Sequence, residues 1–401
     1  MPTMKIRQSI LDIQDEFTKY RRILHQNPQT AFEESYASDF IADKLEKWGI
    51  IFERNIGKTG IVATVEGRKT DSRKSIGIRA DIDALDITEE NNKEWVSNTK
   101  GKMHGCGHDG HSASLLGTAK YLKENNNFNG VVNLIFQPAE ENGEGAKAMI
   151  DDGLFDRFPC DAIYAMHNWP YIPLGYFEIN EGPSMAAVDY FEIIIDGKGG
   201  HASKPHTTID PIIIALQIIN SLQTIISRET DPFAPAVLSV TNINGGTGAF
   251  NVIPSQTSFS GTVRSYNKNL KKHIEKRIKE ISSEIAAAHR AVATCIYETR
   301  TQPTINHKEH AQICTNIAKE MVGDVMVVEN PVPSMGGEDF GVFLEHIPGA
   351  YIKIGQAVEN DPNHRCSKGL HNAGYDFNDD LLPIAMEYWA RLVEHLFPLK
   401  N

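Results

Sequence analysis

Cysteine is scarce in this chain of 401 residues: five, at positions 106, 160, 295, 314 and 366, an odd number with no CxxC pair. That excludes a disulfide framework and fits a reducing compartment, so the expected location is cytoplasmic. A concentrated basic face is also missing. With 40 Lys and Arg against 52 Asp and Glu, a formal net charge of -12, the chain disfavours a phosphate-backbone partner, which needs a positive surface to displace counterions. Long apolar runs are lacking too. The opening residues, MPTMKIRQSILDIQDEF, have no apolar signal segment, and the most apolar run, PIIIALQII, is expected to fall far short of a membrane span. Neither nucleic acid nor membrane is therefore an expected partner. What remains is 41% hydrophobic and 23% charged, the make-up of a folded globular protein. Its length exceeds what one core usually supports, so two domains are expected.

The apolar runs GIVATVEG, SIGIRAD, VVNLIFQ and AIYAMHN read as strands, and HSASLLGTAKYLKE and EGAKAMIDDG as helices. Their alternation predicts an α/β fold, a mostly parallel sheet flanked by helices. Near residue 184 the pattern changes. A strand, DYFEIIIDG, precedes a helix capped by Asp210 with Pro211 at its first position and an apolar stripe of Ile212, Leu216, Ile219, Leu222 and Ile226. The strands AVLSVTNI and TSFSGTVRSY follow, then a helix striped by Leu270, Ile274, Ile278, Ile281 and Ile285, then the strand ATCIYETR. Strand, helix, strand, strand, helix, strand is the order of a ferredoxin-like α+β unit. We therefore expect an inserted domain at 183–302, splitting the α/β domain into 1–182 and 303–401. The later helices QICTNIAKEMV and IAMEYWARLVEHLF and the strand AYIKIGQ return to the first pattern.

The segment MHGCGHDGHS packs His104, Cys106, His108 and His111 around Asp109. A structural zinc knuckle would need a second Cys or His pair nearby, and none follows. A cysteine nucleophile with a histidine base is a second reading, although such dyads are usually assembled from distant segments. The third reading is one edge of a metal site completed elsewhere. QPAEENGEG follows a strand, and because adjacent residues of an extended segment face opposite ways, one of Glu140 and Glu141 can ligate while the other takes a proton from water. His167 in YAMHNWP and His371 in GLHNAGYDF lie at other strand or loop ends, the positions where open α/β sheets bind ligands. Cys106, His108, Glu141, His167 and His371 exceed the ligand count of one tetrahedral zinc, so two divalent ions are the natural expectation.

Taken in order, RADIDAL, GKMHGCGHDGH, FQPAEENGEGAKAMI, MHNWP, GKGGHASKPHTTIDPI, NVIP, GTVR and SMGGEDF make a specific set. By them the chain resembles the metal-dependent amidohydrolases of the aminoacylase and glutamate carboxypeptidase superfamily, in the branch of hippurate hydrolases and plant indole-acetyl-amino-acid hydrolases. The resemblance implies that Cys106, His108, Glu141, His167 and His371 are the metal ligands and Glu140 the general base. It implies that Asp83 supports the base or a ligand, although a carboxylate at a strand end can also be a plain turn residue. Asp109 could orient a ligand or cap a helix. By the same resemblance the insert is a lid and dimerisation domain whose His201 reaches a neighbouring subunit's site and steadies an oxyanion. Asn251 and Arg264 correspond to residues around the substrate's amide or carboxylate, a pairing that suits the guanidinium fork. Gly336 and Gly337 would let a loop approach the substrate closely. The implied activity is metal-dependent hydrolysis of the amide bond of N-acyl or N-aroyl amino acids in a homodimer or larger homo-oligomer, with two zinc or manganese ions per subunit, cobalt and nickel being compatible. A dipeptidase or carboxypeptidase on the same scaffold is the rival reading; a non-catalytic metal carrier has no use for Glu140. The chain departs from the branch at Asp86, where proline is common, and at Asn372 and Ala373, where Ser-Pro is frequent, which touches the substrate pocket rather than the ligands.

Overall fold

The computed structural model describes residues 4–399, which divide into two compact units. One comprises the chain up to Ser184 with Ile305–Pro333 and the C-terminal segment from Asp339; the other is Met185–Thr304 with Ser334–Glu338. The last short segment joins the second unit because Ala186 N–H donates to the carbonyls of Ser334 (3.1 Å) and Gly336 (3.0 Å). Residues 303–401, expected as one segment of the α/β domain, are thus divided between the two units.

The first unit holds an eight-stranded sheet in the order Ile51–Ile56, Gly60–Glu66, Val131–Gln137, Ser75–Asp81, Ala162–Pro173, Gly349–Ala357, Phe177–Ile179, Val327–Glu329. Its centre is parallel, from Val131–Gln137 through Ser75–Asp81 and Ala162–Pro173 to Gly349–Ala357. Antiparallel joints flank that centre on both sides. The expected α/β class with a mostly parallel sheet is what the chain adopts. The central strands are buried on both faces, which is why they read as continuous apolar runs rather than as alternating ones. Ile51–Ile56, largely exposed and carrying Glu53 and Arg54, has no such run and went unread. Helix His108–Glu124 is buried along most of its length between the sheet, Gln14–Gln26 and Leu381–Leu396.

The second unit is an antiparallel four-stranded sheet in the order Ala236–Gly245, Gln256–Ser265, Ala187–Asp196, Val292–Thr301, with helices Pro211–Arg228 and Lys268–Ala288 packed on it. The order β, α, β, β, α, β along the chain is the ferredoxin-like one. Asp210 caps the first helix, its Oδ1 accepting from Ile212 N–H at 3.0 Å. The buried face of that helix is Pro211, Ile214, Ala215, Ile218, Leu222 and Ile225, and Leu216, expected inside, is 48% exposed. PIIIALQIINSLQTIISR offers two overlapping apolar stripes, and only packing on the sheet chooses between them. The run also proves longer than it reads. The helix has 18 residues and a mean hydropathy of 1.2, enough by length and composition alone to cross a membrane, whereas here it walls the second core.

Candidate metal centre

The parallel strands bring chemically loaded turns to one edge of the sheet. Asp83 follows Ser75–Asp81, Glu140 and Glu141 follow Val131–Gln137, and His167 lies just past the last pairing of its strand with Ser75–Asp81, at Arg79 and Ala165. Two left-handed residues, Ala139 and His371, turn the segments that carry candidate ligands. Ala139 has φ 52° and donates its N–H to Glu34 Oε1 at 2.9 Å, which turns the chain out of the strand at Glu140. His371 has φ 63° and donates its N–H to the Gly105 carbonyl at 2.8 Å, tying the C-terminal loop to the Cys106 segment. Positive φ at non-glycine residues is uncommon, and strain of this kind gathers at functional sites.

Cys106, His108 and Glu141 place a ligand atom each within 4.8 Å of one another. Cys106 Sγ is 3.4 Å from His167 Nε2, and Glu141 Oε2 is 3.4 Å from His371 Nε2. His108 Nε2 stands 3.8 Å from Glu141 Oε1 and 4.0 Å from Glu140 Oε2. The five expected ligands and Glu140 therefore converge. Asp83 joins them: its carbonyl and Oδ1 accept from His108 Nδ1 at 2.9 and 3.2 Å, and its Oδ2 accepts from Glu141 N–H at 3.0 Å. His167 Nδ1 donates to the Asn168 carbonyl at 2.7 Å. In both rings the inner nitrogen is taken by an oxygen and Nε2 is turned toward the cluster, the orientation that ligating histidines adopt.

The donor set suits a cation. His108 Nε2 and Glu141 Oε1 are buried with no hydrogen-bond partner among the described residues, a costly state for polar atoms that metal ligation would relieve. Burial and the Glu141 and Glu140 carboxylates push the Cys106 thiol well up. Burial opposes charge on His108, yet Asp81 and Asp83 hold the ring at about 10. Burial, with His111 beside it, keeps His167 well below the usual histidine range, hence neutral. Thiolate, imidazole and carboxylate together are borderline-soft and compatible with zinc and its divalent neighbours.

His201, Asn251, Arg264, Gly336 and Gly337 lie in the second unit. His201 pairs with Val252 in a two-stranded ribbon, and Asn251 accepts at its carbonyl from Ala202 N–H at 2.9 Å. Ser203 N–H donates to His201 Nδ1 at 3.1 Å, which leaves the exposed ring its proton on Nε2. Arg264 donates from Nε to Thr262 Oγ1 at 3.1 Å. The close approach that Gly337 permits is to Val188, whose Cγ2 would lie 2.4 Å from a Cβ there.

Asp109 does not cap the helix, which begins at His108 after Gly107; its Oδ2 accepts from His25 Nδ1 at 2.8 Å and lies 3.5 Å from Arg21 Nη1. His104 is buried, and burial lowers it to about 4. Sequence reasoning missed the partners of His111, Asp81 Oδ1 at 2.5 Å and Asn168 Oδ1 at 2.7 Å. Asp81 ends a buried strand and Asn168 follows the candidate ligand His167, weak signals that gain meaning only once the segments are brought together.

Residues 77–395 match the profile of peptidase family M20/M25/M40. The chain is 40% identical over 389 residues to the hippurate hydrolase of Campylobacter jejuni, covering 97% of this chain and 98% of that one. It is 40% identical over 345 residues to the N-acetyl-L-cysteine deacetylase of Bacillus subtilis, covering 86% and 81%. Among solved structures it resembles the Bacillus subtilis YXEP protein, described as a dinuclear metal-binding peptidase of the M20 family, with a TM-score of 0.82 and 32% identity over 98% of this chain and 99% of that one.

Proposed function

This chain belongs to peptidase family M20/M25/M40 and is a metal-dependent amidohydrolase; from that premise we propose that it hydrolyses N-acyl or N-aroyl amino acids, hippurate-like or N-acetylated, to a carboxylic acid and a free amino acid. The observation that carries this reading is Glu140, a buried carboxylate 4.0 Å from His108 Nε2 and adjacent to Glu141, one of the candidate ligands. A metal store needs no such neighbour.

Cys106, His108, Glu141, His167 and His371 are the residues that would hold two divalent ions, zinc or manganese. Such ions lower the pKa of water toward about 7 and polarise a carbonyl. Glu140 takes the proton of the attacking water and later passes it to the leaving amine. Asp83 holds His108 in the ligating tautomer. His201, with its Nε2 proton exposed, steadies the oxyanion from a neighbouring subunit, a contribution of about 3 kcal/mol for one well-placed donor. Arg264 takes the substrate carboxylate bidentately, Asn251 its amide, and Gly336 and Gly337 shape the loop beside it. The assembly is a homodimer or larger homo-oligomer formed through the second unit, in the cytoplasm.

The test is Glu140→Ala, assayed on hippurate, N-acetyl amino acids and dipeptides with metal content measured in the same sample. The variant should keep its metal and lose turnover by about 100-fold or more. Near-normal hydrolysis in a metal-replete variant would refute the base assignment, and preference for dipeptides in the parent enzyme would move the substrate class.

A further inference from the structure

Asn168 is fully buried, and each of its polar groups is used. Its carbonyl accepts from His167 Nδ1 at 2.7 Å, its backbone N–H donates to His111 Nε2 at 3.2 Å with its Oδ1 2.7 Å from the same nitrogen, and its Nδ2 donates to Tyr375 Oη at 2.6 Å and Gln356 Oε1 at 3.0 Å. The partners are themselves anchored. His111 Nδ1 donates to Asp81 Oδ1, which leaves Asp81 Oδ2 to accept from Arg79 Nη1 at 2.8 Å. Gln356 Nε2 donates to the carbonyls of Cys366 and Asp376 at 2.9 and 3.1 Å.

The amide also lies against Gly107, between Cys106 and His108. That glycine has φ 97°, and a Cβ on it would come within 2.4 Å of Asn168 Oδ1 and 2.6 Å of Tyr375 Oη. One side chain thus abuts the turn carrying two ligands, follows a third, and is bonded to the segment that begins at the fourth, His371, four residues before Tyr375. Buried networks in which every member is satisfied rigidify what they join.

We infer that Asn168 is the positioning residue of the metal centre: it holds the Cys106–His108 turn, His167 and the His371 loop in register, with His111 and Asp81 as its brace. The inference rests on His167 being a ligand. Loss of the Asn168 amide donors loosens the Tyr375 side of the site, while its backbone carbonyl still orients His167. The effect therefore falls on how tightly and in what geometry metal is held.

The experiment strips the full chain with chelator and titrates it with cobalt(II) alone, reading bound equivalents by elemental analysis and geometry by d–d absorption. Asn168→Asp keeps the backbone N–H that His111 Nε2 accepts and a side-chain oxygen beside it, and removes both side-chain N–H donors. It should bind the second cobalt about 10- to 100-fold more weakly, with a shifted d–d band. Tyr375→Phe, which removes one hydroxyl, should shift both readouts in the same direction by less. Thermal unfolding of the metal-free proteins separates this from lost stability, which would leave the band of the bound cobalt unchanged. Wild-type affinity and spectrum in both variants overturn the inference, and if Asn168→Asp does not fold, Tyr375→Phe decides by the same criterion. Should His167→Ala keep both equivalents with an unaltered spectrum, the ligand assignment itself falls, and the inference with it.

Discussion

Asp83 shows how one carboxylate can do two jobs at the residue scale. One oxygen faces His108 Nδ1 while the other takes the N–H of Glu141, so a single side chain sets the tautomer of one candidate ligand and the backbone of the next. Asp83→Ala should therefore weaken metal binding by about 10- to 100-fold, the usual effect of removing a ligand's outer partner. Competition with a chromophoric chelator measures it, and unchanged affinity would reduce Asp83 to the turn residue its sequence position also allowed. Glu89 offers a test free of metal. Its side chain, 2% exposed, meets His25 and Lys93 and accepts from Ser97 N–H at 2.7 Å. Burial would raise its carboxyl, but His25 and these partners bring it down from 4.5 to about 2. A lowered folded-state pKa contributes stability that is present above about 4.5 and lost as pH falls toward 2. Wild type should thus exceed Glu89→Gln in urea midpoint at pH 7, and the gap should close progressively below 4.5. A gap independent of pH would mean that shape rather than charge matters there.

At the scale of elements, local chemistry was legible and choice of face was not. Asp210 followed by Pro211 marks a helix start in any context, since the carboxylate satisfies an otherwise orphaned N–H and proline has none to lose. Asp210→Ala should cost about 1 kcal/mol, seen as a lower denaturation midpoint of the unfolding transition that reports the second unit. A loss well under that would mean the helix is held by its buried face alone. That face, Ile214, Ile218, Leu222 and Ile225, was not readable because nearly every turn of this helix offers an isoleucine or leucine. Helix Lys268–Ala288, with lysines and glutamates between its apolar positions, left no such ambiguity: Ile274, Ile278 and Ile281 are buried as its spacing predicts. Buried strands were readable for the same reason that Ile51–Ile56 was not, since an edge strand with little buried surface has no apolar signature.

For the whole molecule, the candidate ligands Glu141 and His167 were legible because each follows an apolar run, whereas Cys106, His108 and His371 stood out only as a His/Cys cluster and a loop histidine. The brace behind them was hidden. Asp81, His111 and Asn168 meet only through the packing of helix His108–Glu124 on the sheet, a relation between segments that no local pattern states. The placement of His201 is of the same kind one level higher, and solution experiments can decide it. It lies in a different compact unit from Glu140, exposed, with Nδ1 already occupied by Ser203 N–H. If each active site takes Glu140 from one chain and His201 from its partner, a heterodimer of Glu140→Ala and His201→Ala subunits contains one site with both residues intact and one with neither. If both residues act within a chain, every site in that heterodimer lacks one of them. Each variant alone should be nearly inactive, and heterodimers purified through two different affinity tags should regain hydrolysis, at a KM equal to wild type because the surviving site is unaltered. Verified heterodimers that stay as inactive as either parent would place His201 in the site of its own chain.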